Sequence, residues 1–275
     1  LDTEYLERLY TIVPWAEDPS DESFRQRYER LVNGFRKAVD HELVKHIFQK
    51  DRIRILDLCG GTGVGAVSFV KALDGRLKVE PWVVDLRRQA LETAVKWSSA
   101  EIGEPVRTKV MDVLKVHELG LKFEVAIIVG YSATHFDPWS MIRIIASVST
   151  LLEDDGVFIL EEADRLKIVF LNKGYRSFLV EKAEEDSLVV SAHSKYDMIS
   201  GVFTRVIVDL SKGRASTLRV YFWSLSQLLS LLWLFFRDTD YIGLTPNYGL
   251  IVARGPRRRF KIEDFKEDPP FLRQT

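Results

Sequence analysis

The rhythm of apolar and polar positions changes near residue 52 of this 275-residue chain. Before it, apolar residues recur at helical spacing. Leu6, Leu9 and Tyr10 mark a short first helix, which Pro14 and Pro19 interrupt. Phe24, Tyr28, Leu31, Phe35, Ala38, Val39, Leu43 and Phe48 then share one side of a second segment, predicted helical from Ser23 to Phe48. Asp18-Pro-Ser-Asp before it supplies helix-start side chains. After residue 52, apolar strands at Ile53–Leu58, Val79–Val84, Val106–Met111, Phe123–Val129 and Val157–Leu160 alternate with helices over Val64–Leu73, Leu86–Ile102 and Pro138–Leu152. Such alternation predicts an α/β fold of parallel strands joined by right-handed crossovers. The last third differs. Leu188–Ala192, Val202–Leu210 and Ser216–Phe222 read as successive strands, with a turn at Ser211–Arg214. A helix over Ser224–Phe236 is expected to be buried, with Trp223, Leu231 and Trp233 against the sheet, before short strands at Tyr241-Ile242 and Leu250–Ala253. The expected organisation is a helical lid over 1–50, an α/β domain over 51–255 with a substrate-side insertion near 163–215, and a tail over 256–275.

Composition narrows the class. With 39 basic and 40 acidic side chains the net charge is -1, without the basic excess of a dedicated nucleic-acid binder. Arg254 and Arg257-Arg258-Arg259 form the one basic cluster, read as a solvated tail rather than a phosphate contact. A single cysteine, Cys59, rules out an intrachain disulfide and suggests a reducing, cytoplasmic setting. Charges interrupt every apolar stretch in the first thirty residues, so no signal peptide is expected there. The apolar run Leu228–Phe236 is broken by Ser230 and is far short of the ~20 residues that span a bilayer; no membrane partner is expected. Scarce Asn and Gln beside plentiful Glu, Lys and Arg match the balance of heat-adapted proteins.

The chemistry concentrates at Asp57-Leu58-Cys59-Gly60-Gly61-Thr62-Gly63, where the first parallel strand ends. Open α/β sheets bind ligands at that edge. Glycines admit a ligand close to the backbone, and the free N–H groups of the next helix face the same place. Asp85 ends the second strand and Asp112 follows the third. A glycine turn alone is often just a tight turn, and either acid alone could cap a helix. All three in order is a stronger signal.

This pattern resembles motif I of the Rossmann-like, class I S-adenosylmethionine-dependent methyltransferases, acidic-x-Gly-x-Gly-x-Gly. Asp57, Gly61 and Gly63 match, and Cys59 stands in place of the first glycine. The resemblance implies a doubly wound, mostly parallel seven-stranded sheet with a late antiparallel hairpin, for which the stretch from about 216 to 254 is the candidate. It implies S-adenosyl-L-methionine as cofactor. Asp57, Cys59, Gly60, Gly61 and Gly63 would cradle its methionine and ribose, and Asp85 would take both ribose hydroxyls. Asp112 would accept from the adenine amino group between Leu86 and Val113, and Val129-Gly130 would border the methyl-transfer site. The rival reading is a nicotinamide or flavin domain, since Gly61-x-Gly63-x-x-Ala66 with Asp85 also fits a dinucleotide fingerprint. Asp57 opposes it, because its carboxylate would lie beside an anionic pyrophosphate. A non-catalytic cofactor-binding scaffold is the other alternative.

His135 is the first candidate base, in Tyr131-Ser-Ala-Thr-His135-Phe136 after the fourth strand. Tyr131 could orient the acceptor. Of Glu161 and Glu162, strand alternation turns one toward the site, and Glu162 is taken as that residue. Tyr10, Trp15, Tyr28, Phe136 and Trp139 are candidates for the substrate pocket. No Asn/Asp-Pro-Pro-Tyr motif follows the fourth strand, the sole cysteine sits in the cofactor loop, and Asp137 alone makes no catechol-type metal site. These absences disfavour amino methylation of bases, C5 methylation of cytosine and metal-assisted chemistry; no metal is expected. What remains resembles the small-molecule O- and N-methyltransferases, with RNA or protein acceptors still open.

Overall fold

A computed structural model describes residues 3–13, 16–267 and 269–274. Helices α1 (Thr3–Tyr10) and α2 (Glu22–Val39) precede β1 (Arg52–Leu58), α3 (Val64–Ala72), β2 (Lys78–Asp85), α4 (Arg88–Ile102) and β3 (Arg107–Val110). Then come β4 (Phe123–Ile128), α5 (Pro138–Leu151) and β5 (Leu152–Ala163). An inserted run holds β6 (Phe178–Glu184), β7 (Ser187–Tyr196), β8 (Phe203–Asp209) and β9 (Arg214–Val220), and α6 (Leu225–Phe235), β10 (Phe236–Thr245) and β11 (Tyr248–Pro256) follow. Seven strands form one sheet in the order β10-β11-β5-β4-β1-β2-β3. Pairing is parallel from β3 through β5, and β11 runs antiparallel to both β5 and β10. Chain order reverses between β1 and β4, which opens a crevice at their carboxyl ends.

The strands buried on both faces are the nearly continuous apolar ones. Ile53, Ile55, Val125 and Ile159 pack on one side with α2, α3 and α4, while Leu56, Ala126, Phe158 and Leu160 pack on the other with α5 and α6. Helix starts follow local chemistry. Asp137 accepts from Ser140 N at 2.8 Å ahead of Pro138, and Ser224 and Gln227 close a reciprocal capping box at α6.

Four expectations are corrected. First, the segment over 1–50 is not all lid. Helix α2 buries Phe24, Leu31, Phe35 and Val39 in the main core, and Leu6, Leu9, Tyr10 and Val13 of α1 and the turn after it line clefts at the sheet edge. Second, the reversed hairpin is β10 and β11 alone; the strand read at 216 is β9, which belongs to a separate four-stranded antiparallel sheet in the order β6-β7-β8-β9. Third, α6 is buried on one side only: Trp223 before it is 1% exposed, whereas Trp233 is 62% exposed. Fourth, the basic cluster is exposed but also anchored. Arg258 donates to the carbonyls of Ser149 and Leu152 at the end of α5, and Arg257 to Phe236 O at the end of α6. Both guanidiniums satisfy orphan helix carbonyls where the dipole is negative.

Candidate cofactor and acceptor site

Asp57 lies fully buried at the end of β1. Its Oδ2 accepts from Ala66 N at 2.8 Å, and its buried Oδ1 has no hydrogen-bond partner. Burial pushes the carboxyl up to about 7, against the pull of the Ala66 N–H and the Arg27 guanidinium. The turn closes tightly on this acid. A Cβ on Gly60 or Gly65 would sit 2.7 Å from its Oδ2. Cys59 adopts φ 55, in the left-handed region, where a side chain costs about 1–2 kcal/mol. That cost accounts for glycine being the usual residue at this place in the motif.

Asp85 is the centre of a charged knot. Its Oδ2 accepts from Gly61 N at 2.8 Å, and its Oδ1 from Arg87 N at 2.9 Å and Arg87 Nε at 3.3 Å. The Arg87 guanidinium continues to Glu17, 2.7 Å from each carboxylate oxygen, and lies 4.0 Å over the Tyr10 ring. Arg87 and Glu17 are functional candidates that the sequence did not reveal, because 70 residues separate them. Beside the knot, Leu86, Met111, Val113 and Phe136 wall a narrow slot that Asp85, Asp112 and Cys59 also line. Asp112 Oδ1 caps its own turn by accepting from Leu114 N at 3.0 Å.

Past β4, Val129 is buried, and Gly130 and Tyr131 take consecutive left-handed conformations at φ 75 and 60. Glycine adopts this freely, but at Tyr131 it is strain of the kind that gathers at functional sites. Of the paired glutamates, Glu161 lies on the sheet face shared with Asp57, where it accepts from Gly130 N and from the Tyr248 hydroxyl at 2.7 Å. Glu162 points to the opposite face, paired with Arg165 Nε at 3.1 Å, and burial raises it to about 7. The pair thus divides between the two sheet faces, and neither glutamate lines either cleft. His135 stands between the slot and a second cleft, with Nδ1 buried and without a partner. Burial, with Arg165 and Arg87 nearby, lowers it to about 4, so its imidazole is neutral at ordinary pH.

The second cleft runs between α1, the β4 loop and β9. Leu9, Val13, Ile168, Leu218 and Val220 make its apolar wall; Tyr10, Tyr131, His135 and Arg165 supply its polar groups. Tyr10 borders both clefts and Phe136 only the narrow slot, and Tyr131 lies in the second cleft with its ring under Arg165 at 5.0 Å. Tyr28 does not. It packs edge-on to Trp97 with its hydroxyl on Glu101, inside the α2–α4 contact. Trp139 donates to Ile199 O at 3.4 Å and meets Phe271, away from both clefts. Trp15 lies outside the described residues.

No protein-family model and no curated protein matches the chain. Solved structures do. A protein called PH0226 from Pyrococcus horikoshii superposes with TM-score 0.62 over 92% of this chain and 99% of that one, at 19% identity. An S-adenosylmethionine-dependent methyltransferase from Clostridium acetobutylicum gives 0.59 over 83% and 91%, at 14% identity. The CcbJ methyltransferase of Streptomyces caelestis gives 0.61 over 83% and 90%, at 15% identity. The chain has the fold of the S-adenosylmethionine-dependent methyltransferases.

Proposed function

We propose that this protein is an S-adenosylmethionine-dependent methyltransferase acting on an O or N nucleophile of a small-molecule acceptor. The observation that carries the reading is the row Asp57, Asp85 and Asp112 along one sheet edge, with the Asp57 Oδ1 buried and unpartnered. A buried carboxylate oxygen without a hydrogen-bond partner suits an ammonium group and opposes a pyrophosphate. Asp57 would hold the cofactor's amino group. Asp85 would accept from the ribose through Oδ2, which keeps a lone pair beside the one engaged by Gly61 N, while Oδ1 is taken by Arg87 N and Nε. The slot between Leu86, Met111 and Val113 would clasp the adenine, with Asp112 at its edge. The bound cofactor supplies an activated methyl on a sulfonium, so the protein's own work is approach geometry, exclusion of water and removal of a proton.

His135 is placed for the last task. It is neutral, its Nδ1 is unpartnered, and it borders both clefts. Glu161 fixes the loop through Gly130 N and the Tyr248 hydroxyl, which sets where Tyr131 presents its ring. The apolar wall of the second cleft suits a compact, largely apolar acceptor. Incubation with methyl-labelled S-adenosylmethionine and panels of small phenols, carboxylic acids and amines tests the reading. Label is expected in the small-molecule fraction; label found only in added RNA or protein would overturn the acceptor class.

A further inference from the structure

Among the described residues that line the second cleft, Arg165 is the only one with a formal charge, and no carboxylate stands on that wall. The fold holds this arginine at three points. Its backbone N donates to Trp223 O at 2.9 Å, its Nε donates to Glu162 Oε1 at 3.1 Å, and its guanidinium carbon lies 5.0 Å over the Tyr131 ring. Glu162 is fully buried and meets the guanidinium through Nε alone, while its Oε2 has no hydrogen-bond partner. That side-on pair leaves Nη1 and Nη2 without a hydrogen bond to any described residue, on a side chain 27% exposed. Two parallel N–H groups at the end of a fixed guanidinium match the two oxygens of a carboxylate. Glu162 offsets the charge only in part near neutral pH, because burial raises it to about 7. The remaining charge reaches the candidate base: after burial, Arg165 is the largest influence that keeps His135 unprotonated.

From this we infer that the second cleft takes an acceptor bearing a carboxylate, which Arg165 holds end-on through Nη1 and Nη2 while the nucleophile lies toward His135. The inference rests on the reading of this cleft as the acceptor site of a methyltransferase. The rest of the wall sets the body of the molecule. Leu9, Val13, Ile168, Leu218 and Val220 are apolar, and the cleft holds about 360 Å³, within the roughly 300–1,000 Å³ of small-molecule sites. The class is therefore a compact acid with an apolar body and a hydroxyl or amine as nucleophile. One cation on the wall balances one negative charge, which favours a carboxylate over a phosphate dianion.

Titration of benzoate, phenylacetate and 4-hydroxyphenylacetate against their primary amides tests this, followed by NMR on the full chain saturated with S-adenosylhomocysteine. Each acid is expected to bind at least about tenfold tighter than its amide, as a charge-assisted pair requires, and to contact the Ile168 and Val220 methyls. Arg165→Gln combined with Glu162→Gln, so that no acid is left buried and unpaired, should lose that preference and still bind the thioether. Acids that bind no better than their amides, ligand contacts away from those methyls, or a preference that survives in the double variant would each overturn the inference and leave the methyltransferase reading standing. The titration and the contacts in the parent protein decide by themselves if the variant does not fold. A chain that fails to bind the thioether overturns the reading on which the inference rests, and the inference with it.

Discussion

Single residues carry most of the proposed chemistry, and Asp57 gives the sharpest expectation. In the unliganded protein its carboxyl keeps a proton up to about pH 7. An ammonium ligand selects the charged carboxylate, so binding below pH 7 must expel that proton. Affinity for S-adenosylhomocysteine should weaken by up to about tenfold per pH unit as pH falls below 7, and level off above 8. Calorimetry in two buffers of different ionisation heat should register the released proton, and Asp57→Asn should bind more weakly with no pH slope; a flat profile in the parent protein would separate Asp57 from the ligand. Asp85→Ala should lose affinity on the order of 100-fold, because the ribose hydroxyls lose a charged acceptor. An unchanged dissociation constant would sink that assignment. His135→Ala should slow turnover by about 10²–10⁴ with cofactor affinity intact; normal turnover would make His135 a packing residue.

The elements show what the sequence could and could not disclose. The inner strands β1, β4 and β5 were legible because residues buried on both faces read as nearly unbroken apolar runs, and Asp57 and Asp85 because each closes an apolar stretch; the exposed edge strand β3 before Asp112 carries no such run. Strand β6 was missed, since Phe178, Val180 and Lys182 alternate without a covered face to mark them. Which glutamate of the 161–162 pair faces the cofactor edge depends on the register of β5 against β4, which composition does not set. The Arg87–Glu17 pair and the helix-capping roles of Arg257 and Arg258 join positions distant in sequence, so no local pattern announces them. Trp223 just before α6 and Trp233 within it separate packing from pattern. Trp223 fills the core and donates to Ala133 O and Phe136 O at 3.0 and 3.1 Å, so Trp223→Ala should cost about 3–5 kcal/mol in denaturant unfolding. Trp233→Glu, on the exposed side, should stay within about 0.5 kcal/mol. Equal losses would mean that α6 is covered on both sides.

For the molecule as a whole, the buried acids tie stability to pH. Folding raises Asp57 from 3.8 and Glu162 from 4.5, both to about 7. The folded state therefore holds protons that the unfolded chain has lost, so stability is greatest below the unfolded values and declines as pH rises toward 7. His135 acts oppositely, between its lowered value of about 4 and its ordinary 6.5. From pH 6.5 to 8 the His135 contribution is complete, while that of the two acids is still being lost. The unfolding midpoint should fall across that window, and less so with S-adenosylhomocysteine bound to an ionised Asp57. The fold, the acidic row and the orphaned Asp57 oxygen all converge on one ligand class. The direct test is isothermal titration of the protein with S-adenosylhomocysteine, with NAD and NADP alongside. Micromolar binding of the thioether alone is the predicted result; binding of a nicotinamide nucleotide in its place would contradict the account and leave Asp57 facing a pyrophosphate.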